Sequence, residues 1–181
     1  NIEVQERQAL SIGASSLSNG ERGVAYDDSL QISGGFPPYT IEITSGALPA
    51  GLSLNNDGTI TGTPTSDSRS KSFKVRVTDQ KGTTLTKKFT IKIYTELKFV
   101  TTSLKSGKIG KTYSATLKAS GGKKPYEWGM VSGDLPNGLS FDSSTGKITV
   151  TPTEAGSFNV GFEVEDDLGG VKEKSLTLTI V

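Results

Sequence analysis

The chain has 181 residues, 33% of them hydrophobic and 22% charged, with a formal net charge of +1. It contains neither Cys nor His, which removes disulfides, thiolate nucleophiles, sulfur-bound zinc and the commonest general base and metal ligand. The near-neutral balance gives no electrostatic argument for nucleic acid, and no apolar run approaches the roughly 20 residues that cross a bilayer.

In chain order, Ile2-Glu3-Val4 resembles the later Ile91-Lys92-Ile93. Residues 1–6 therefore read as the end of an upstream repeat or a linker, and the chain as an excerpt from a longer array. An early strand lies near Leu10 to Ile12. Tyr26, Leu30 and Ile32 alternate with polar residues up to Gly34-Gly35, and Tyr39, Ile41 and Ile43 form the next period-2 strand. Leu52 and Leu54 precede Asn56-Asp57-Gly58, a strong hairpin signal, and Ile60 begins the return. Phe73, Val75 and Val77 give the clearest strand. Asp79-Gln80-Lys81-Gly82 turns the chain into a last strand with Phe89, Ile91 and Ile93 inward. No stretch has a helical period.

The pattern then repeats. A shift of 87 places Leu10, Gly20, Tyr26, Gly34, Gly35, Pro38 and Tyr39 on Leu97, Gly107, Tyr113, Gly121, Gly122, Pro125 and Tyr126, and Asp79 on Asp166. Two copies of one folded unit follow. One-sided alternation over short strands predicts an all-β protein: two tandem immunoglobulin-like antiparallel β-sandwich domains of about seven strands each, at 7–94 and 95–181. In the second copy Tyr126, Trp128 and Met130 take the inward positions of Tyr39, Ile41 and Ile43. Asp28 breaks the pattern, because it has inward parity and corresponds to Ala115 in the second copy; a strand end or bulge that leaves the carboxylate wet is one explanation, a buried functional acid the other.

The residues that carry the repeat are Pro125-Tyr126-x-Trp128, Leu135-Pro136-x-Gly138-Leu139-Ser140, Ser144-Thr145-Gly146 and Thr151-Pro152-Thr153, with Gly58-Thr59-Ile60-Thr61-Gly62-Thr63-Pro64 in the first copy. This run resembles the putative Ig domain of bacterial surface proteins, close to the dystroglycan-type cadherin-like domains, over nearly the whole chain. The resemblance implies strings of such domains in exported proteins, acting as spacers or adhesive modules, with no catalytic residues.

Calcium is the one cofactor whose hard oxygen ligands the composition leaves open. Candidate ligands are Asp79, Glu96, Asp166 and Asp167, with Glu6, Glu21, Asp27 and Asp28 as further acids. The junction Tyr94-Thr95-Glu96-Leu97 lacks the linker motif of calcium cadherins. Asp79 and Asp166 each precede a Gly by three residues, which suits a hairpin turn capped by Asp. Residues 97–124 hold seven Lys and no acid, whereas 125–173 hold nine acids and two Lys. Surface pairing explains much of this, the alternative being a basic patch (Lys105, Lys108, Lys111, Lys123 and Lys124) for acidic polysaccharide. Phe36 and Tyr94 are the aromatics placed for exposure, Phe36 as a sugar platform and Tyr94 as an interdomain wedge. Glu163 and Glu165 share an outward face with no sign of the cleft that glycosidic chemistry needs.

The expectation is a non-enzymatic spacer or adhesion module of an exported bacterial surface protein, at the cell surface. Its partners would be neighbouring domains of a longer array or a cell-surface receptor, with polysaccharide as an alternative ligand and no nucleic acid or direct membrane insertion. A carbohydrate-binding module and a calcium-stiffened adhesin are the competing readings.

Overall fold

A computed structural model describes residues 8–181 of the chain. The reading of residues 1–6, with Glu6, lies outside the described residues. The chain divides into two compact units, Asn1–Thr95 and Glu96–Val181, and among the described residues all the regular structure is β.

The first unit contains β1 (Ser11–Ile12), β2 (Gly20–Glu21), β3 (Tyr26–Ser29), β4 (Ile32–Ser33), β5 (Thr40–Gly46), β6 (Leu52–Leu54), β7 (Thr59–Gly62), β8 (Ser68–Thr78) and β9 (Thr84–Tyr94). One sheet has the order β2-β9-β8-β5 and the other β3-β7-β6, with β1 paired to β4 alone. Alternation puts Phe73, Val75 and Val77 of β8 and Phe89, Ile91 and Ile93 of β9 against Tyr26, Leu52 and Ile60 from the opposite sheet. Each such side chain, fully buried, contributes about 1.5–3 kcal/mol of apolar burial. The turn after β6 follows from its side chains: Asp57 Oδ1 accepts the Thr59 amide at 2.9 Å and the Thr59 hydroxyl at 2.6 Å.

The second unit contains β10 (Lys98–Phe99), β11 (Tyr113–Thr116), β12 (Ala119–Ser120), β13 (Tyr126–Ser132), β14 (Leu139–Asp142), β15 (Lys147–Val150), β16 (Gly156–Asp166) and β17 (Val171–Ile180). Its sheets have the orders β13-β16-β17 and β11-β15-β14, with β10 on β12. Its core is built from Trp128, Ile148, Val160, Phe162, Val164 and Leu178. Phe99 meets the Trp128 indole edge-on, with ring centroids 5.5 Å apart, a favoured aromatic geometry.

Two local expectations are corrected. The strand expected from Tyr26 to Ser33 breaks at Leu30 and Gln31: Gln31 adopts φ 54, and the chain switches from pairing β7 to pairing β1. Met130 keeps inward parity opposite the buried Phe162 but is 44% exposed; it is the last position paired before the β13–β16 register shifts. A further strand, β2, was not anticipated. Its apolar content is too low for periodicity to reveal it, yet it pairs in parallel with the end of β9.

Candidate functional site

The most developed polar constellation sits where β8 turns into β9 and recurs where β16 turns into β17. Asp79 is 4% exposed. Its Oδ1 accepts the amides of Lys81 at 3.0 Å and Thr83 at 2.8 Å, which closes the turn. Its Oδ2 reaches across to the amide of Phe36 at 3.1 Å. Asp166, also 4% exposed, accepts from Leu168 and Gly170, both at 2.9 Å, and from Lys123 at 2.6 Å. One buried carboxylate thus ties its own hairpin to the Gly-Gly loop of the neighbouring segment. Burial alone pushes the Asp79 carboxyl up, but the Thr83, Phe36 and Lys81 amides more than offset it and hold it below the ordinary value.

That loop is pinned a second time. The Tyr39 hydroxyl donates to the Gly34 carbonyl and the Tyr126 hydroxyl to the Gly121 carbonyl, both at 2.6 Å. A third repeated bond lies near the start of each unit: Tyr26 donates to the Ser18 carbonyl and Tyr113 to the Lys105 carbonyl, both at 3.0 Å. Burial raises both phenols, and the nearby Asp28 raises Tyr26 further. Asp28 itself is half-buried and accepts the amides of Ser18 and Ser29, each at 2.7 Å.

The remaining candidates do not converge. Glu96 pairs with Lys172 at 2.8 Å, and Asp167 with Lys123 at 2.5 Å. These partly exposed pairs contribute ~0–1 kcal/mol each. Glu21 is buried on β2, and Asp27 is exposed. Pro125, Glu127, Glu165, Asp166 and Asp167 line a concavity of about 220 Å³, but no group of three metal-ligating side chains forms among the described residues. Phe36 is half-buried, with the Lys81 ammonium 3.8 Å from its ring centroid. Tyr94 is the last residue of β9 rather than a linker residue, and Lys92 stands over its ring at 4.0 Å. Lys124 is exposed, as are Lys105, Lys108 and Lys111. A groove of about 690 Å³ runs beside β5 and β6 and is lined by Ile41, Ile43, Leu48, Leu52 and Leu54 among others.

The loop-to-loop reach of the two aspartates was not read from the sequence, which placed them only in their own turns. The available signal was that Gly34-Gly35 and Asp79 share the same 87-residue shift.

Comparison with known proteins agrees with this architecture. The family model described as Putative Ig domain matches residues 10–94 and again 97–181. Comparison with curated proteins finds no match. Among solved structures, extracellular domains 3–5 of Drosophila OTK are similar over 97% of this chain and 63% of theirs, at 13% identity and TM-score 0.54. An I-band fragment of titin is similar over 91% of this chain and 62% of its own, at 12% identity and TM-score 0.51. A putative alpha-galactosidase from Bacteroides fragilis matches 48% of this chain and 18% of its own at 27% identity, with TM-score 0.43. The chain therefore spans between 18% and 63% of the length of these three proteins. Two matched stretches, each carrying its own core and its own buried aspartate, make this chain a tandem pair belonging to the putative Ig domain family.

Proposed function

We propose that the chain is a non-enzymatic module of an exported bacterial surface protein, serving as a spacer with adhesion as its accessory role. One observation carries this reading. The buried or half-buried tyrosines and aspartates that the copies share, Tyr26, Tyr39 and Asp79 with Tyr113, Tyr126 and Asp166, close bonds inside their own unit. A binding or catalytic site kept in both copies would aim such groups outward into a cleft. What is kept here is a shape, while residues on the loop that Asp79 and Asp166 hold change, as with Phe36 against Lys123.

The carbohydrate-binding alternative draws less support, because Lys81 already occupies one face of the Phe36 ring. A panel of neutral and acidic polysaccharides tests both readings with the purified chain. A spacer leaves all of them unhydrolysed and shows no saturable binding. Hydrolysis lost on substituting Glu163→Gln and Glu165→Gln would overturn the non-enzymatic reading. Saturable glycan binding lost in Phe36→Ala or Lys124→Ala would move the chain to the carbohydrate-binding class. An antibody against the chain that fails to label intact source cells would refute surface exposure.

A further inference from the structure

We infer that Asn137 is a deamidation site whose conversion releases the turn before β14 from Glu154. The inference is independent of the spacer reading.

An asparagine followed by glycine is the pair most open to this reaction, because a glycine has no side chain to block the approach of its nitrogen to the asparagine side chain. The Gly138 nitrogen bonds to Asn137 Cγ and gives up its proton, and ammonia leaves. Water then opens the resulting imide at either carbonyl, which leaves aspartate or isoaspartate at position 137. The sequence of steps consumes water and no other reagent.

The chain has two such pairs, Asn19-Gly20 and Asn137-Gly138, and the fold treats them differently. Gly20 is buried in β2 opposite Ile93, and Asn19 is half-buried, its Oδ1 accepting the Lys92 N–H at 3.4 Å. Ring closure there requires β2 to leave its sheet. Asn137 and Gly138 are both exposed, in the turn ahead of β14. The Leu139 N–H closes that turn on the Pro136 carbonyl at 3.1 Å, and no hydrogen bond among the described residues engages the Gly138 N–H. The turn is common to both copies: the Thr153 N–H donates to the Asn137 carbonyl at 2.8 Å as the Thr65 N–H does to the Ala50 carbonyl at 3.0 Å. The reactive pair is the second copy's own addition to it.

One restraint opposes the reaction. Glu154 Oε1 accepts the Asn137 main-chain N–H at 2.8 Å, and its Oε2 accepts the Asn137 Nδ2 at 2.9 Å. A single carboxylate thus draws the side chain back over its own residue, and Nδ2 is released before Cγ meets the Gly138 nitrogen. Breaking one charge-assisted bond slows a reaction about ten- to hundredfold. Opening β2 costs more, because a buried, sheet-paired segment has to come away. Asn137 is therefore the faster site in the folded chain. Conversion replaces the Nδ2 donor with a carboxylate facing Glu154, so that attraction turns into repulsion between like charges.

The test is incubation of the full chain at mildly alkaline pH, folded and in urea, with the mass gain of amide-to-acid conversion located by peptide mass spectrometry. In the folded chain Asn137 should convert about tenfold or more faster than Asn19, and in urea the two rates should converge. Glu154→Ala should speed Asn137 about ten- to hundredfold and leave Asn19 unchanged. Glu154→Gln, which keeps an acceptor oxygen without the charge, should fall between, and Trp128 fluorescence verifies that both variants are folded. Asn19 converting as fast as Asn137 in the folded chain would overturn the inference, as would an Asn137 rate that Glu154→Ala leaves unchanged. Asn137→Asp stands in for the product: it should lower the Tm of the second unit by roughly 5 °C, and adding Glu154→Gln should restore part of the loss. An unmoved Tm in Asn137→Asp would refute the release.

Discussion

Asp166 Oδ2 accepts the backbone N–H of Lys123 at 2.6 Å across a separation of 43 residues, and Asp79 does the same for Phe36 across the same separation. A carboxylate so placed fixes the spacing between two loops that apolar packing alone would leave loose. Removing it strands three amides, two in the hairpin and one in the facing loop. Asp166→Ala is expected to cost the second unit about 3 kcal/mol, of the order of 15 °C in its Tm. The only Trp lies in that unit, so indole fluorescence during thermal unfolding reads the loss directly. A change under 3 °C would contradict the loop-tying role.

Val150 occupies the place of Gly62. Gly62 pairs with Tyr26 and Leu52, and Val150 with Tyr113 and Leu139. Gly62 has φ 136 and Val150 φ 90, and a β-branched residue in that region is strained. Val150 is also 51% exposed, so little packing is lost when it is shortened. Val150→Gly should raise the stability of the second unit by about 1 kcal/mol. The reverse change in the first unit, Gly62→Val, brings a Cβ within 2.1 Å of the Gly51 carbonyl oxygen. It should cost ~3 kcal/mol or more. Urea unfolding checks both, and a destabilised Val150→Gly would contradict the strain argument.

Much of this was legible in the chain. Alternation at Phe73, Val75 and Val77 fixed the inward face of β8 because those positions are at most 1% exposed and water and core impose a period of two. Turn residues announced themselves in the same way, as at Asp57 and Gly58. What was hidden has common physical causes. The pairing of β2 rests on backbone bonds and two residues, too short for any hydrophobic period. The reach of Asp79 to Phe36 joins distant segments, and sequence spacing carries no information on which loop faces which. Met130 misled because parity fixes the face a side chain takes and not how much packs over it.

The carboxyls of Asp57, Asp79 and Asp142 lie below the ordinary 3.8 in the folded chain. For Asp57 the cause is the Thr59 hydroxyl, and for Asp142 the Ser144 hydroxyl, joined by Thr145. A depressed folded value means that the stabilisation is present above the unfolded value and is lost as pH falls through the folded one. Urea midpoints should hold from neutral pH down to about pH 5 and fall below that. The fall should be shallower in a chain carrying Asp57→Asn and Asp79→Asn together. A wild-type midpoint that is flat down to pH 2 would contradict this.

At the alkaline end the sign reverses. Tyr26 and Tyr113 are raised above 10.0 by burial. Their contribution is fully present below the unfolded value and is lost as pH rises through the raised folded values. Stability should therefore decline above about pH 10. Tyr113→Phe should cost about 1 kcal/mol at neutral pH through the lost bond to Lys105, and should reduce the alkaline decline in the second unit. Fluorescence-monitored urea titrations at pH 7 and above pH 10 make the comparison.

The two buried aspartates hold loops rather than a ligand. Thermal unfolding of the wild type, Asp79→Ala and Asp166→Ala, each in calcium and in EDTA, tests it most directly. The account predicts that each substitution lowers the Tm of its unit by the same amount in both conditions, and that EDTA leaves the wild type unmoved. A wild-type Tm that rises in calcium, with the rise abolished by Asp79→Ala or Asp166→Ala, would contradict it.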